Sequence, residues 1–420
     1  MKRFIPVSLV ILALLLTASV VWASGSKETT PEPAGQKVTV TYWHTMSDPE
    51  AAQLNKVISA FEEENPNITI KPTKFAYDDF KTAILTAVAG GDVPDTARID
   101  IIWVPEFADK GWLLRLDGNM AGFETLINRT FPGPRATARW KEHYYGLPQN
   151  TNTQVLLWNK ERFDQAGIDG PPATIQEFAA DARKLSNPGK EQYGYALGGT
   201  YFWAPAPIFY AMGGRIVSPD LTTADGYING PESVRAFTLL TQLYKDGAIS
   251  PNLLGGGIGT SDGHASGKYA MIIDGPWMVD IYADTYPDFN VHFAMIPKGP
   301  DGNTSSVVGG EDAVIFDGST HKEAAKKWLA YLLSSDAQKT MAQVGVIPTL
   351  SELRGDPALP DYFDVFMQQL QTARARVAHP RWSDMDGAIN NAFQRMLRGD
   401  QSPQAALDQA AKEIDKLLAE

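Results

Sequence analysis

The stretch Lys37-Val-Thr-Val-Thr-Tyr-Trp43, halted by His44-Thr-Met-Ser-Asp48, decides the fold class. Its β-branched and aromatic residues predict a strand, and the polar break predicts a turn into the next element. Pro49 to Glu63 then carries Leu54, Val57, Ile58 and Phe61, the spacing of a helix with one buried stripe. Asn67 to Lys71 reads as a second strand, Phe80 to Ala89 as a second helix closed by Gly90-Gly91, and Ala97 to Ile102 as a third strand. The β-α-β-α-β order predicts a parallel sheet with helices on both faces. In such sheets the working rim lies at the carboxyl ends of the strands, which here gathers Trp43, His44, Asp48, Asp100 and Trp103.

The alternation resumes after Tyr145-Gly-Leu-Pro148. Thr153 to Trp158 and Tyr193 to Leu197 read as strands, as does Tyr269 to Ile273. Helices are expected at Lys160 to Ala166, Ala206 to Met212, Pro231 to Asp246 and Thr174 to Leu185, where Thr174 and Glu177 form a capping box. Later helices are expected at Lys322 to Ser334, Asp336 to Val344, Asp361 to Ala373, Gly387 to Leu397 and Pro403 to Leu418. The expected architecture is α/β with two lobes, each a mostly parallel sheet with flanking helices, because 420 residues exceed what one small core organises.

Lys and Arg number 37 against 49 Asp and Glu, a net charge of −12, and cysteine is absent. Such a chain is repelled by nucleic acid and anionic membranes. Without cysteine there is no disulfide scaffold, no Cys-ligated metal and no thiol chemistry. Lys2 and Arg3 precede an apolar run from Phe4 to Val21, and Val21-Trp22-Ala23 suits a cleavage site, so residues 1–23 read as a secretory signal. Residues 24–36, Pro-rich and polar, read as a flexible leader. With no cysteine to lipidate, the expected address is the periplasm.

Catalytic patterns are weak. Gly259-Thr-Ser-Asp-Gly263 matches the G-x-S-x-G expression but lacks the strand and helix a nucleophile elbow needs, and reads as a flexible loop. Gly263 to Lys268 is one residue short of a P-loop. The histidines show no metalloprotease spacing, so no metal, cofactor or catalytic residue is assigned. Tryptophans speak more clearly. Trp43, Trp103, Trp203, Trp277 and Trp382 each fall at an expected strand end or in a loop beside Gly or Pro. Indoles so placed suit stacking on the apolar faces of sugar rings, with carboxylates, amides, Arg and His for the hydroxyls.

These elements, in order, resemble the family 1 extracellular solute-binding proteins, the maltodextrin-binding-like receptors of bacterial ABC sugar importers. The resemblance rests on Tyr42-Trp43, Phe61 to Pro66, Ala89-Gly-Gly-Asp-Val-Pro-Asp95, Tyr145 to Pro148, Trp158 to Phe163 with Ala166-Gly167, Pro172 to Phe178, Gly267 to Met271 with Gly275-Pro-Trp277, Ala324 to Ser335, and Gly345 to Pro348. It implies two lobes joined by a hinge, lobe one being 37–148 plus 298–346 and lobe two 149–297 plus 347–420. Hinge crossings fall near Leu147 to Asn152, Met295 to Gly299 and Gly345 to Leu350, where Pro148, Pro297 and Pro348 stand. Residue by residue, it carries ligand binding to Trp277 and Trp203, and to Asn152 where maltodextrin receptors hold a carboxylate. It extends to His44 and Asp48 in the first strand-helix loop, Asp100 and Trp103 in the third, Glu311, and Arg381-Trp382 in a late loop. The implied protein is a non-catalytic, monomeric periplasmic receptor that delivers a di- or oligosaccharide to inner-membrane permease subunits. The alternative is glycerol 3-phosphate or another phosphorylated polyol, with Arg381, Arg135 and Arg98 as candidate anion ligands.

Overall fold

The computed structural model describes Lys37–Glu420; the expected signal segment 1–23 and leader 24–36 lie outside the described residues. Its strands are β1 (Val38–His44), β2 (Ile68–Lys74), β3 (Thr96–Asp100), β4 (Arg139–Trp140), β5 (His143–Tyr144), β6 (Gly146–Thr153), β7 (Val155–Trp158), β8 (Tyr193–Ala196), β9 (Tyr269–Asp274), β10 (His292–Ala294) and β11 (Val308–Ile315). One sheet runs β2-β1-β3-β11-β6 and the other β10-β7-β9-β8, with β4-β5 a small hairpin.

The opening motif folds as its pattern requires. β1 pairs in parallel with β2 and β3. Helix α1 (Asp48–Glu64) starts at a capping box between Ser47 and Glu50 and buries Leu54, Val57, Ile58 and Phe61. Helix α2 (Tyr77–Gly90) stops where Gly91 takes the left-handed conformation at φ 70°. The period-two alternation of strands then divides the core. Val40, Tyr42, Ala313 and Ile315 pack with α1 and Trp328 on one face, while Ala97, Ile99 and Val314 pack with Phe80, Ile84 and Phe107 on the other. In the second sheet, Leu156, Met271 and Ile273 face helices Ile175–Lys184, Pro231–Lys245, Trp382–Arg398 and Pro403–Leu418. Val155, Leu157 and Ile272 face helices Met278–Thr285 and Phe363–Leu370.

The sheets are mixed rather than mostly parallel. β11 runs antiparallel to β3 and β6, and β7 antiparallel to β9 and β10. The cause is connectivity: β6 passes through Gln154 directly into β7, so the chain changes sheets along one extended run instead of returning by a helical crossover, and the parallel rule does not bind it. A third segment joins the run, with Thr151 donating to Ile347 O (3.1 Å) and Thr349 Oγ1 to Pro148 O (2.6 Å).

Two expected loops are ordered elements. Gly259 to Gly263 is a loop only at its first residue, since Thr260–Ala265 is a helix whose Gly263 lies against the Tyr269 ring. The glycine that suggested flexibility is there for close packing. No strand precedes it, so it is no nucleophile elbow. The helix expected from Gly387 begins at Trp382. β11 went unrecognised because Gly309-Gly310 weakens its strand pattern. No described helix is long and apolar enough to cross a membrane.

Candidate functional site

β3 is buried along its whole length yet carries Arg98 and Asp100. Their burial is tolerable because β11 and β6 supply partners. Arg98 Nη2 donates to Glu311 Oε2 (2.7 Å), Arg98 Nε to Asn150 Oδ1 (3.0 Å), and Asn150 Nδ2 to the same Glu311 oxygen (2.6 Å). Burial pushes the Glu311 carboxyl up, opposed by the Arg98 charge. Asp100, opposite Glu311 in register, accepts from Ile102 N (3.0 Å) and from the Tyr77 hydroxyl (2.7 Å). Arg376 Nη2 completes it at 3.3 Å. This is a polar wall at the carboxyl end of the first sheet.

Facing it is an aromatic wall. Trp203 and Trp277 lie 6.3 Å apart between ring centroids with planes 33° apart. Each indole rests on a glycine. A Cβ on Gly275 would stand 2.2 Å from Trp277 Cη2, and one on Gly309 would stand 2.6 Å from Trp203 Cη2 and 2.1 Å from Asn152 Oδ1. The Trp203 carbonyl is held by Gln154 Nε2 at 2.7 Å, and Arg376 lies over its ring at 5.0 Å. Asn152 Oδ1 is buried without a hydrogen-bond partner among the described residues. Asp274, at the end of β9, has its carboxyl pushed up to about 6 by burial, and burial also raises Asp386, which accepts from Phe202 N at 2.7 Å.

Of the residues singled out in the sequence, Asp100, Asn152, Trp203, Trp277 and Glu311 therefore converge. The others go elsewhere. Trp103 is 5% exposed, stacked under Tyr77 at 5.8 Å and packed on Phe80 and Phe107, so its faces are taken. Trp382 is 1% exposed in the second core, edge-on to Phe202, because its helix starts a turn earlier than expected. Trp43 points to the opposite sheet face from Tyr42 and His44, lies tilted at 46° against Phe75 with ring centroids 4.6 Å apart, and lines an open groove along α2. His44 is sealed at 2% exposure, its Nδ1 accepting from Met46 N, and burial lowers its pKa to about 4, so it is neutral. Asp48 is exposed and ion-paired with Lys74 at 2.5 Å. Arg381 pairs with Asp384 (2.8 Å) and with Glu420, away from the cleft.

Arg98, Asn150, Tyr77 and Arg376 were not read as sugar-site residues. Arg98 had a signal, a charge inside a strand between the apolar Ala97 and Ile99. The remaining three act through partners far away in sequence.

Two α/β lobes around a cleft with one polar and one aromatic wall define a solute-binding protein. Residues 47–339 match the family of bacterial extracellular solute-binding proteins, and the chain belongs to that family. A binding protein of Brucella abortus is 28% identical over 394 residues, spanning 91% of this chain and 93% of its own. The maltotriose-binding protein of Pyrococcus abyssi is 26% identical over 376 residues, 86% of this chain and 77% of the relative. Among solved structures, an ABC transporter solute-binding protein of Thermotoga lettingae bound with α-D-tagatose superposes with a TM-score of 0.79 at 29% identity, covering 91% of this chain and 100% of that one.

Proposed function

We propose that this chain is the non-catalytic substrate-binding component of a bacterial ABC sugar importer, capturing a neutral di- or oligosaccharide between its lobes and presenting it to permease subunits. It works as a monomer in the periplasm. Lobe one comprises 37–148 with 298–346 and lobe two 149–297 with 347–420, and closure rotates them about the run through β6 and β7. The single observation that carries this reading is the Trp203–Trp277 pair, two indoles in angled contact, seated on glycines and flanked by Asn152. Sugar rings stack on such indoles, and the amide with Glu311 and Asp100 fixes their hydroxyls.

Charge argues against a phosphorylated ligand. Arg98 and Arg376 are already matched by Glu311 and Asp100, while Asp274 and Asp386 add further carboxylates. A phosphate entering there meets carboxylates beside two arginines that are already ion-paired. The P. abyssi and T. lettingae proteins, one named for maltotriose and the other bound with tagatose, support a sugar.

The test is a thermal-shift screen of the protein against maltose, maltotriose, D-tagatose, raffinose and glycerol 3-phosphate. A ligand at 100 times its Kd adds about 2.7 kcal/mol of stability. A shift with a sugar and none with the phosphate is the expected result. A shift with glycerol 3-phosphate alone overturns the neutral-sugar reading.

A further inference from the structure

Arg376 stands between the two walls, on the segment joining helices Phe363–Leu370 and Trp382–Arg398. Two residues earlier the backbone is clipped to the start of β11, Arg374 N donating to Ser306 O (2.8 Å) and Val308 N to Arg374 O (2.9 Å). This clip leaves the arginine little freedom. Its side chain is 10% exposed and its guanidinium meets both walls, the Asp100 carboxylate at 3.3 Å and the Trp203 ring at 5.0 Å. Asp100 is itself held by Tyr77 and Ile102 N, so the arginine pairs with a carboxylate that has two further anchors. Arg376 Nε is buried with no acceptor among the described residues. A buried N–H without an acceptor costs stability, and proteins keep such groups where something else fills them. Next to the same ring, Asn152 Oδ1 is also unfilled.

We infer that Arg376 is a specificity-determining residue of the cleft: opening of the lobes uncovers its buried Nε–H, which then donates to a ring or hydroxyl oxygen of the sugar lying against Trp203, while its pairing with Asp100 fixes the direction of that bond. The inference deepens the sugar-binding reading and rests on it. Because the positive charge is consumed by Asp100, Arg376 serves as an oriented donor to a neutral ligand and not as an anion trap. A site built to hydrogen-bond an oxygen discriminates strongly against sugars that place none there, because its donor is then left unpaired. Lysine cannot substitute, since it lacks both the planar face for Trp203 and the Nε–H beside it.

The experiment is isothermal titration of wild type, Arg376→Met and Arg376→Lys with maltose, maltotriose, D-tagatose and raffinose, each variant's fold being checked by far-UV circular dichroism and thermal melting. Arg376→Met is expected to weaken the best-binding sugar at least tenfold and to shrink the ratio between best and worst binders to within about threefold, with Arg376→Lys behaving like it. If Arg376→Met does not fold, Arg376→Lys, which keeps the charge opposite Asp100, carries the test alone. Affinity within twofold of wild type, or an equal loss across all sugars, overturns the assignment, the second outcome reducing the arginine to a support of the fold. A wild-type protein silent to every sugar removes the sugar reading itself, and with it this inference; binding by wild type with an unchanged variant removes only the inference.

Discussion

The two walls of the cleft solve the problem of holding a site open in opposite ways. The first is a web of charged hydrogen bonds among residues far apart in the chain, Arg98 reaching Asn150 52 positions away and Glu311 213 positions away. Its charged groups are largely buried and each is ion-paired or hydrogen-bonded to another, so its geometry is inseparable from the fold. The second is made of Trp203 and Trp277, each held mainly by shape, against a glycine that leaves room for the ring. Polar walls of this kind cost stability when broken, because a stranded charge remains; aromatic walls cost mainly affinity, because the ring's work is done on the ligand.

The sharpest way to break the contrast is Arg98→Met. It leaves Glu311 and Asn150 buried without their cation and is expected to destabilise the protein by about 3–5 kcal/mol, read from urea denaturation. Arg98→Met combined with Glu311→Leu removes both charges and should recover most of that loss. Trp277→Ala, by comparison, should leave the urea midpoint nearly in place while weakening the sugar by about tenfold, on the order of 1.4 kcal/mol. If Arg98→Met unfolds at the wild-type midpoint, the first wall is not the rigid one.

A smaller effect separates the walls by pH. Asp274, beneath the aromatic wall, has its carboxyl raised from 3.8 to about 6 by burial. Between pH 6 and 4 the folded state binds a proton there that the unfolded state does not, so acidification through pH 6 favours folding through this group. His44 under the polar wall, lowered to about 4, and His264, lowered to about 3, act oppositely. Their stabilising neutrality is complete above 6.5 and is lost as pH falls, because the unfolded chain takes up the protons first. Acidification from pH 7 to 4 thus costs stability at the two histidines and returns some at Asp274. Asp274→Asn removes that return, so the change in stability from pH 7 to 4 should be about 2 kcal/mol less favourable in the variant than in wild type, read from urea titrations at the two pH values. Parallel curves for the variant and wild type would mean Asp274 is not held in its neutral form.

The contrast also explains what could be read from the sequence. The opening β-α-β-α-β unit and the capped helices rest on local signals, Ser47 with Glu50 and Thr174 with Glu177 among them, and came out within a few residues of their true ends. The place of Trp277 beside Trp203 was within reach because Gly275-Pro-Trp277 matches the family pattern that the sequence resembles. Trp103 and Trp382 misled because a tryptophan near a strand end or loop looks alike whether its face meets solvent or Phe107 and Phe202, and only the neighbouring elements decide. The polar wall stayed hidden because its defining bonds join β3, β6 and β11, and β11 was itself concealed by Gly309-Gly310. Those glycines are where local propensity gives way to the site: Gly310 takes φ 129° and Gly309 makes room for two side chains.

That last point yields the finest test of the aromatic wall. Neither Gly275 nor Gly309 has a left-handed φ, so alanine is acceptable to the backbone at both, and what excludes it is side chains alone: the Trp277 indole at Gly275, the Trp203 indole and the Asn152 amide at Gly309. Gly275→Ala should push Trp277 off its seat, and Gly309→Ala should displace Trp203 and the Asn152 amide together. Both rings are only half-buried, so melting temperature should move little, whereas overpacking a closed core would cost about 1–3 kcal/mol. Affinity for the sugar should fall about tenfold, on the order of 1.4 kcal/mol, with a changed near-ultraviolet circular dichroism spectrum reporting the moved indoles. Gly309→Ala should be the worse of the two, since it disturbs a stacking ring and a hydrogen-bonding amide at once. Should both variants bind as wild type does, the tryptophans are bystanders, and recognition belongs to the charged wall alone.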